Sequence, residues 1–401
     1  MSKSLSKSRF VELFGRLGKD EKGWGLAKLS SCCDVNPPKI GADLPDTYKV
    51  SFIPMASVSE RGDIDTSDVI DLSEVRSGFS SFVENDVLFA KITPCMENGK
   101  GAVARRLFNK IGFGSTEFHV LRPKTNLCNP YWLYALTSLK EFRLIAEQRM
   151  TGSAGQKRVP AKFLSDFEIS IPPIELQNKY VDFTKQLDKS KFILQKMIEK
   201  LELLKKSRFI ELFGDLNTNP FGFEVKKLSE IAEYYNGVTY KPENIVDSKS
   251  GFLVLRSSNI QNGQIAFDDN VYINMNIKDK HKVEDNDILM CSRNGSAKLV
   301  GKVALIHDCP KDTCFGAFMM IIRSKFFNYL YSYFQSTYFR QRLVVGATST
   351  INQITVSMLD NIKLPIPPIE LVNKYTEQVK QIDKSKLILQ KQLDDLVGET
   401  K

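Results

Sequence analysis

The chain has 401 residues, too many for one ordinary core, so two or three domains are expected. No run approaches the roughly 20 apolar residues a bilayer-crossing helix needs, and no apolar segment follows the basic start MSKSLSKSRF, which argues against a secretory signal and makes the cytoplasm the expected location. A net charge of +9 and an isoelectric point near 9.0 favour an anionic partner, nucleic acid first, while seven scattered cysteines without a CxxC pair and only three histidines argue against a closed zinc site.

Residues 1–15 form an N-terminal arm that carries Ser8–Gly15, SRFVELFG. Residues 16–170 follow as a globular segment with short β-like runs at Tyr48–Ile53, Val87–Lys91 and Phe118–Leu121, separated by Gly, Asn and Asp turns. A helical patch, Tyr131–Arg149, leads into the loop Thr151–Arg158. Five basic residues and one acidic one lie between Arg143 and Lys162. Small residues let backbone approach a phosphate, and Gln, Lys and Arg read base edges, so Gly152, Ser153, Gln156, Lys157 and Arg158 are candidate DNA contacts. The turn leaving the second run adds Lys91 and Thr93; Arg105 is a further basic candidate.

Residues 171–214 form a central long helix. From Ile174 to Phe213 there is neither Gly nor Pro, with Pro172 and Pro173 before and Gly214 after. Apolar residues at heptad spacing, Tyr180, Phe183, Leu187, Leu194, Met197, Leu201 and Leu204, argue for a coiled-coil seam broken only at Ser190. Residues 215–365 are a second globular segment with runs at Phe252–Leu255, Ile288–Cys291, Val303–Ile306 and Phe318–Ile322, a helical patch at Asn328–Val345, and a loop at Gly346–Gln353. Its candidate contacts are Thr350, Asn352 and Gln353 in that loop, Ser292, Arg293 and Asn294 after a strand, and Arg256. Residues 366–401 are a C-terminal helix with a weaker stripe, Tyr375, Ile382, Leu389 and Leu396, in which Gln378 and Gln392 replace apolar residues. At 1.5 Å per residue the two helices would be about 60 and about 44 Å long.

The chain repeats itself. IPPIEL at Ile171–Leu176 returns at Ile366–Leu371, 195 residues later, followed in both copies by NKY, DKSK and ILQK. SRFVELFG at Ser8–Gly15 returns as SRFIELFG at Ser207–Gly214, and Asn85-Asp86-Val87-Leu88 is echoed by Asn286-Asp287-Ile288-Leu289. The second copy ends before any SRFIELFG, so the repeat is circularly permuted. The N-terminal arm is expected to complete the distal helical repeat, with the termini close together. The fold expected is α+β: two pseudo-symmetric α/β target-recognition domains, each with a twisted, mostly antiparallel sheet, separated by two long antiparallel coiled-coil helices.

No catalytic group stands out. Asn36-Pro37-Pro38-Lys39 looks like the turn by which amino-methyltransferases hold an amine, but Lys stands where an aromatic belongs and no glycine-rich cofactor loop precedes it. There is no GxxxxGK[ST] loop, and His119, His281 and His307 suggest no catalytic group. No metal and no cofactor is expected. The alternatives are a stand-alone DNA methyltransferase, which would bind S-adenosylmethionine, and a coiled-coil scaffold without a DNA role.

Two variable domains, each followed by an IPPIEL entry into a long helix, with an SRF-ELFG helix end shared by permutation, resemble type I restriction-modification specificity subunits over essentially the whole chain. The resemblance implies a non-catalytic adaptor in which each domain reads one half of a split, asymmetric site on double-stranded DNA. It also implies that the helices set the gap and dock modification (methyltransferase) subunits, two of them expected, which bind S-adenosylmethionine. Restriction subunits using ATP and Mg²⁺ would join the full complex, and no membrane is involved.

Overall fold

The computed structural model of the protein describes residues 5–153, 155–247, 251–344 and 353–397. The repeats give two units, residues 1–195 with 391–401 and residues 196–390, with corresponding elements in each.

In the first unit the strands Cys33–Val35, Phe118–Pro123, Val87–Ala90 and Gly101–Val103 form an all-antiparallel sheet in that order. Successive side chains of Val87–Ala90 enter two different cores. Val87 and Phe89 face the helices Pro130–Ser138 and Lys140–Gln148, while Leu88 and Ala90 face a second sheet. A strand buried on both faces is apolar throughout, which is why this run shows no alternation in sequence. The second sheet is Val69–Asp71, Lys49–Ile53, Ile111–Gly114 and Ser80–Val83, with Lys49–Ile53 parallel to Ile111–Gly114. The second unit repeats both sheets: Glu233–Asn236, Met319–Arg323, Ile288–Cys291 and Val303–Leu305 in one, and Ile245–Val246, Val271–Ile273, Phe252–Leu255 and Thr313–Phe315 in the other. Each repeat therefore holds two four-stranded sheets where the sequence suggested one. Strands of two to five residues beside turns carry too little pattern to separate them. The single helical patch is also a pair of helices in each unit, broken at Leu139 and at Ser336, both of which adopt extended backbone.

Two devices recur. A Cβ added at Gly62 would lie 2.5 Å from the Tyr134 hydroxyl, and one at Gly263 would lie 2.6 Å from that of Tyr331, so only glycine admits the tyrosine. Asp86, 1% exposed, pairs with Arg122 at 2.8 Å and accepts from the Val83 amide; Asp287 does the same with Arg323 and Glu284. Asp86→Ala leaves Arg122 without its partner and the Val83 amide without an acceptor, and is expected to cost about 3 kcal/mol. The thermal midpoint of this unit should fall by roughly 6–12 °C, with Asp86→Asn falling less. A thermal melt in which Asp86→Ala unfolds with wild type would contradict this role.

The central helix runs Ile174–Phe213 and the C-terminal helix Ile369–Val397. In the second unit Lys205 bonds both oxygens of Asp383 at 3.1 Å and Lys386 pairs with Glu202, so residue numbers rise on one helix as they fall on the other and the pair is antiparallel. Tyr180, Leu187, Tyr375 and Ile382 are buried, and Phe183, Leu194, Leu201, Leu389 and Leu396 are half-buried. The alternate seam position lies one residue later than the sequence reading placed it. Met197 and Leu204 are 46% and 40% exposed, while Ile198 and Lys205 turn inward; likewise Val379 and Leu393 are buried beside Gln378 and Gln392. The C-terminal stripe is thus apolar except at Lys386, which pairs with Glu202. Leu204 loses to Lys205 because only the lysine reaches Asp383 while covering the seam with its stem.

A cluster of four aromatic rings anchors each helix pair. In the first unit the N-terminal helix, Leu5–Phe14, places Phe10 and Phe14 each 5.4 Å from Tyr180 and within 6.5 Å of Trp132. In the second, Phe209 and Phe213 lie 5.7 and 5.3 Å from Tyr375 and within 5.5 Å of Tyr329. Phe10 corresponds to Phe209, Phe14 to Phe213 and Tyr180 to Tyr375, so the N-terminal helix occupies in one unit the place that the end of the central helix occupies in the other.

Candidate nucleic-acid interface

Three chain segments meet at one edge of the all-antiparallel sheet in each unit. One is the turn leaving Val87–Ala90, another the turn entering Phe118–Pro123, and the third the loop after the helix pair. In the first unit the Lys91 amide donates to the Glu117 carbonyl at 2.9 Å, the Val159 amide to the Lys91 carbonyl at 2.9 Å, and the Thr93 amide to the Lys157 carbonyl at 3.0 Å. In the second, the Ser292 amide donates to the Phe318 carbonyl at 3.0 Å and the Ile354 amide to the Ser292 carbonyl at 2.7 Å. Ile92 bridges Arg158, and Arg293 bridges Gln353. The backbone is the same in both copies, so equivalent positions can be compared: Ile92, Glu117 and Arg158 in one, Arg293, Phe318 and Gln353 in the other.

This lip gathers most of the residues singled out in sequence. Gly152, Ser153, Gln156 and Lys157 are exposed on a loop closed by paired hydrogen bonds between Thr151 and Arg158, and a Cβ on Gly152 would meet the Gln156 carbonyl at 2.9 Å. Thr93 donates to Glu97 at 2.6 Å and, with Lys157, lines a 510 Å³ cavity. Lys91 lines a second cavity of 390 Å³ with Asn36, Lys39 and Thr116. Arg256, Ser292, Arg293 and Gln353 line a 1150 Å³ cavity in the second unit.

Others hold the lip in shape. Ser292 is buried and its hydroxyl donates to the Phe318 carbonyl; Asn294 reaches Ser257 at 3.2 Å; Arg256 pairs with Asp269 at 2.8 Å. Arg105 follows Val103, which pairs with Val87 at the opposite end of the strand from Lys91, so it is not brought to the lip. Thr350 and Asn352 lie outside the described residues.

The entering turn was missed in sequence, and with it the partner of Arg158. The Arg158 guanidinium grips both oxygens of Glu117 at 2.8–3.2 Å, which holds the Glu117 carboxyl below its ordinary range. Arg143 was also missed as a positioning residue. It is 6% exposed, donates to the Met96 carbonyl at 2.7 Å and lies over the Phe89 ring, and burial draws its pKa down to about 10. In the second unit Arg340 donates to the Val300 carbonyl, whose counterpart, the Lys100 carbonyl, lies 3.4 Å from the Arg143 guanidinium. Both brace the turn that leaves the central strand. One basic residue among several in a helical patch gives no sign of such a bond.

Asn36 is occupied with structure: its amide oxygen accepts from the Val120 amide at 3.0 Å and its amide nitrogen faces His119 Nδ1 at 2.9 Å. His119 Nε2 then donates to the Val159 carbonyl at 2.7 Å, and burial lowers the imidazole pKa. All seven cysteines are free, and among the described residues no group of three or more His, Cys, Asp or Glu could hold a metal ion. No helix among them is long and apolar enough to cross a membrane.

Comparison with known proteins adds a family likeness. The sequence model described as type I restriction modification DNA specificity domain matches residues 21–203 and 220–397. The Escherichia coli EcoEI type I restriction enzyme specificity subunit is 35% identical over 173 residues; the match covers 41% of this chain and only 29% of that protein. The MjaX specificity subunit of Methanocaldococcus jannaschii is 24% identical over 401 residues, covering 92% of this chain and 88% of that one. A solved chain from work on complex assembly and conformational transition of the type I R-M system aligns with TM-score 0.61 at 18% identity, covering 95% of each chain, a likeness of fold.

Proposed function

Because the chain belongs to the type I restriction modification DNA specificity family, we propose that it is the sequence-reading subunit of such a complex, with no catalysis of its own. Each unit reads one half of a split site through its lip, in the compartment where the host DNA lies. The observation that carries this reading is the pair of lips with one backbone and different side chains. Phosphate contacts position a protein and base-edge contacts specify sequence. A conserved backbone presenting Glu117 and Arg158 in one unit, and Arg293 and Gln353 in the other, suits two different half-sites and hence an asymmetric one.

The partners are double-stranded DNA and, by family likeness, modification subunits, two of them, with restriction subunits in the full complex. The long helices supply the docking faces. Phe192 and Ile193 are 59% and 46% exposed in one unit, and their repeats Leu387 and Ile388 are 71% and 52% exposed in the other. Large apolar side chains so exposed at matching repeat positions suit a protein partner. The N-terminal helix, completing the distal repeat, makes the two docking faces equivalent.

The test is to co-express the chain with the modification subunit encoded beside it and map methylated adenines across the host genome. A split, asymmetric motif that disappears when this chain is omitted is the expected result. A stable complex without methylation would remove the reading role, and no complex would return the scaffold alternative.

The helices should also act as a ruler. Four residues inserted between Lys196 and Leu201 add about 6 Å to the central helix, close to ~2 base-pair steps of B-DNA. The tolerated gap should change accordingly while both half-sites stay the same. An unchanged gap with methylation intact would rule the ruler out.

A further inference from the structure

The two lips differ most at one position. Phe318 is 58% exposed, although its neighbour Met319 is buried. The same backbone position in the first unit is Glu117, since both carbonyls accept from the amide that leaves the central strand. The repeat is an internal control: this turn folds equally well with a carboxylate, so packing does not demand the aromatic ring. Arg293, which replaces Ile92, stands with its guanidinium 5.6 Å from the Phe318 ring centre. A cation on one face orients the ring and adds positive charge beside it, while the residue as a whole stays largely exposed. Both residues line the 1150 Å³ cavity, together with Tyr240, Arg256 and Gln353.

We propose that Phe318 is a stacking residue, whose exposed ring takes a nucleobase of the second half-site at an unstacked base step, with Arg293 bracing the ring from behind. Apolar rings inserted at base steps unstack duplex DNA, and aromatic side chains stack on any base. The first unit cannot do this, because Glu117 offers no ring and is gripped by Arg158. Apart from the adenines that the modification subunits take out of the stack to methylate, local opening of the duplex should therefore be confined to the second half-site. This inference rests on the DNA-reading function.

The test uses the full chain assembled with its modification subunits and duplexes carrying 2-aminopurine at successive positions of both half-sites. With the adenines that are methylated left out of the scan, a several-fold rise in fluorescence is expected at one step of the second half-site and at none in the first. Phe318→Ala should remove the rise and weaken specific binding roughly 10- to 100-fold, whereas Phe318→Tyr should keep both; an exposed side chain makes either variant fold normally, which a thermal melt checks. Sequence-specific binding with no rise at any scanned second-half position, or a Phe318→Ala complex that binds and fluoresces as wild type does, overturns the stacking role and leaves reading intact. Absence of any sequence-specific binding by the wild-type complex overturns both.

Discussion

Arg158→Ala is expected to abolish recognition of the first half-site and leave the second untouched. Arg158 stands where all three segments of the first lip cross: its backbone bridges Ile92 of the leaving turn, and its side chain grips Glu117 of the entering turn and donates to the Gln156 carbonyl of its own loop. Removing it loses any base contact it makes, worth ~1–3 kcal/mol of discrimination, and frees both Glu117 and the exposed Gln156-Lys157 tip. Methylation at the wild-type motif should fall by about 10- to 150-fold. The residual motif should be degenerate only on the first side. Gln156→Ala should act on the same half more weakly, and Gln353→Ala should act on the other half only. Genome-wide methylation mapping reads all three variants, and equal relaxation of both halves by Arg158→Ala would sink the two-reader arrangement.

The largest loss of stability is expected from Phe213→Ala. Phe213 is fully buried, and its ring meets Phe209, Tyr329 and Tyr375 at 5.0–5.3 Å. Deleting a buried aromatic costs about 3–5 kcal/mol, part of it from edge-to-face contacts worth roughly 0.5–1.5 kcal/mol each. Gly214, at φ +71°, turns the chain immediately afterwards, so the collapse cannot be repaired by extending the helix. Phe14→Ala should destabilise the first unit comparably, through Tyr180 and Trp132. Differential scanning calorimetry on the two variants should show different transitions lowered. A Phe14→Ala protein that melts as wild type does would mean that the N-terminal helix is not held by this cluster.

Much of the architecture was legible because its signals are local or repeated. A 40-residue stretch without Gly or Pro between Pro173 and Gly214 has few conformations open to it other than a helix, and the observed helix has those bounds. The lip was half legible. Basic and small residues marked the loop 151–158 and the turn at Lys91, but Glu117 and Phe318 sit at the edge of apolar runs and look like ordinary strand entries. The alternate seam position was misplaced because hydrophobicity chose Met197 and Leu204, whereas Lys205 earns its inward place from Asp383, 178 positions away.

By itself, then, the sequence determined the duplication, its permutation, the helix bounds and the family, since these depend on order along the chain and on the 3.6-residue period. Only the tertiary structure decided which residues share the lip, which face of each helix is covered, and that each repeat holds two sheets. Those depend on strand register and side-chain reach between distant segments. The pairing of Lys91 with Glu117, or Ser292 with Phe318, exists only once a particular register has been adopted, and no local propensity encodes it.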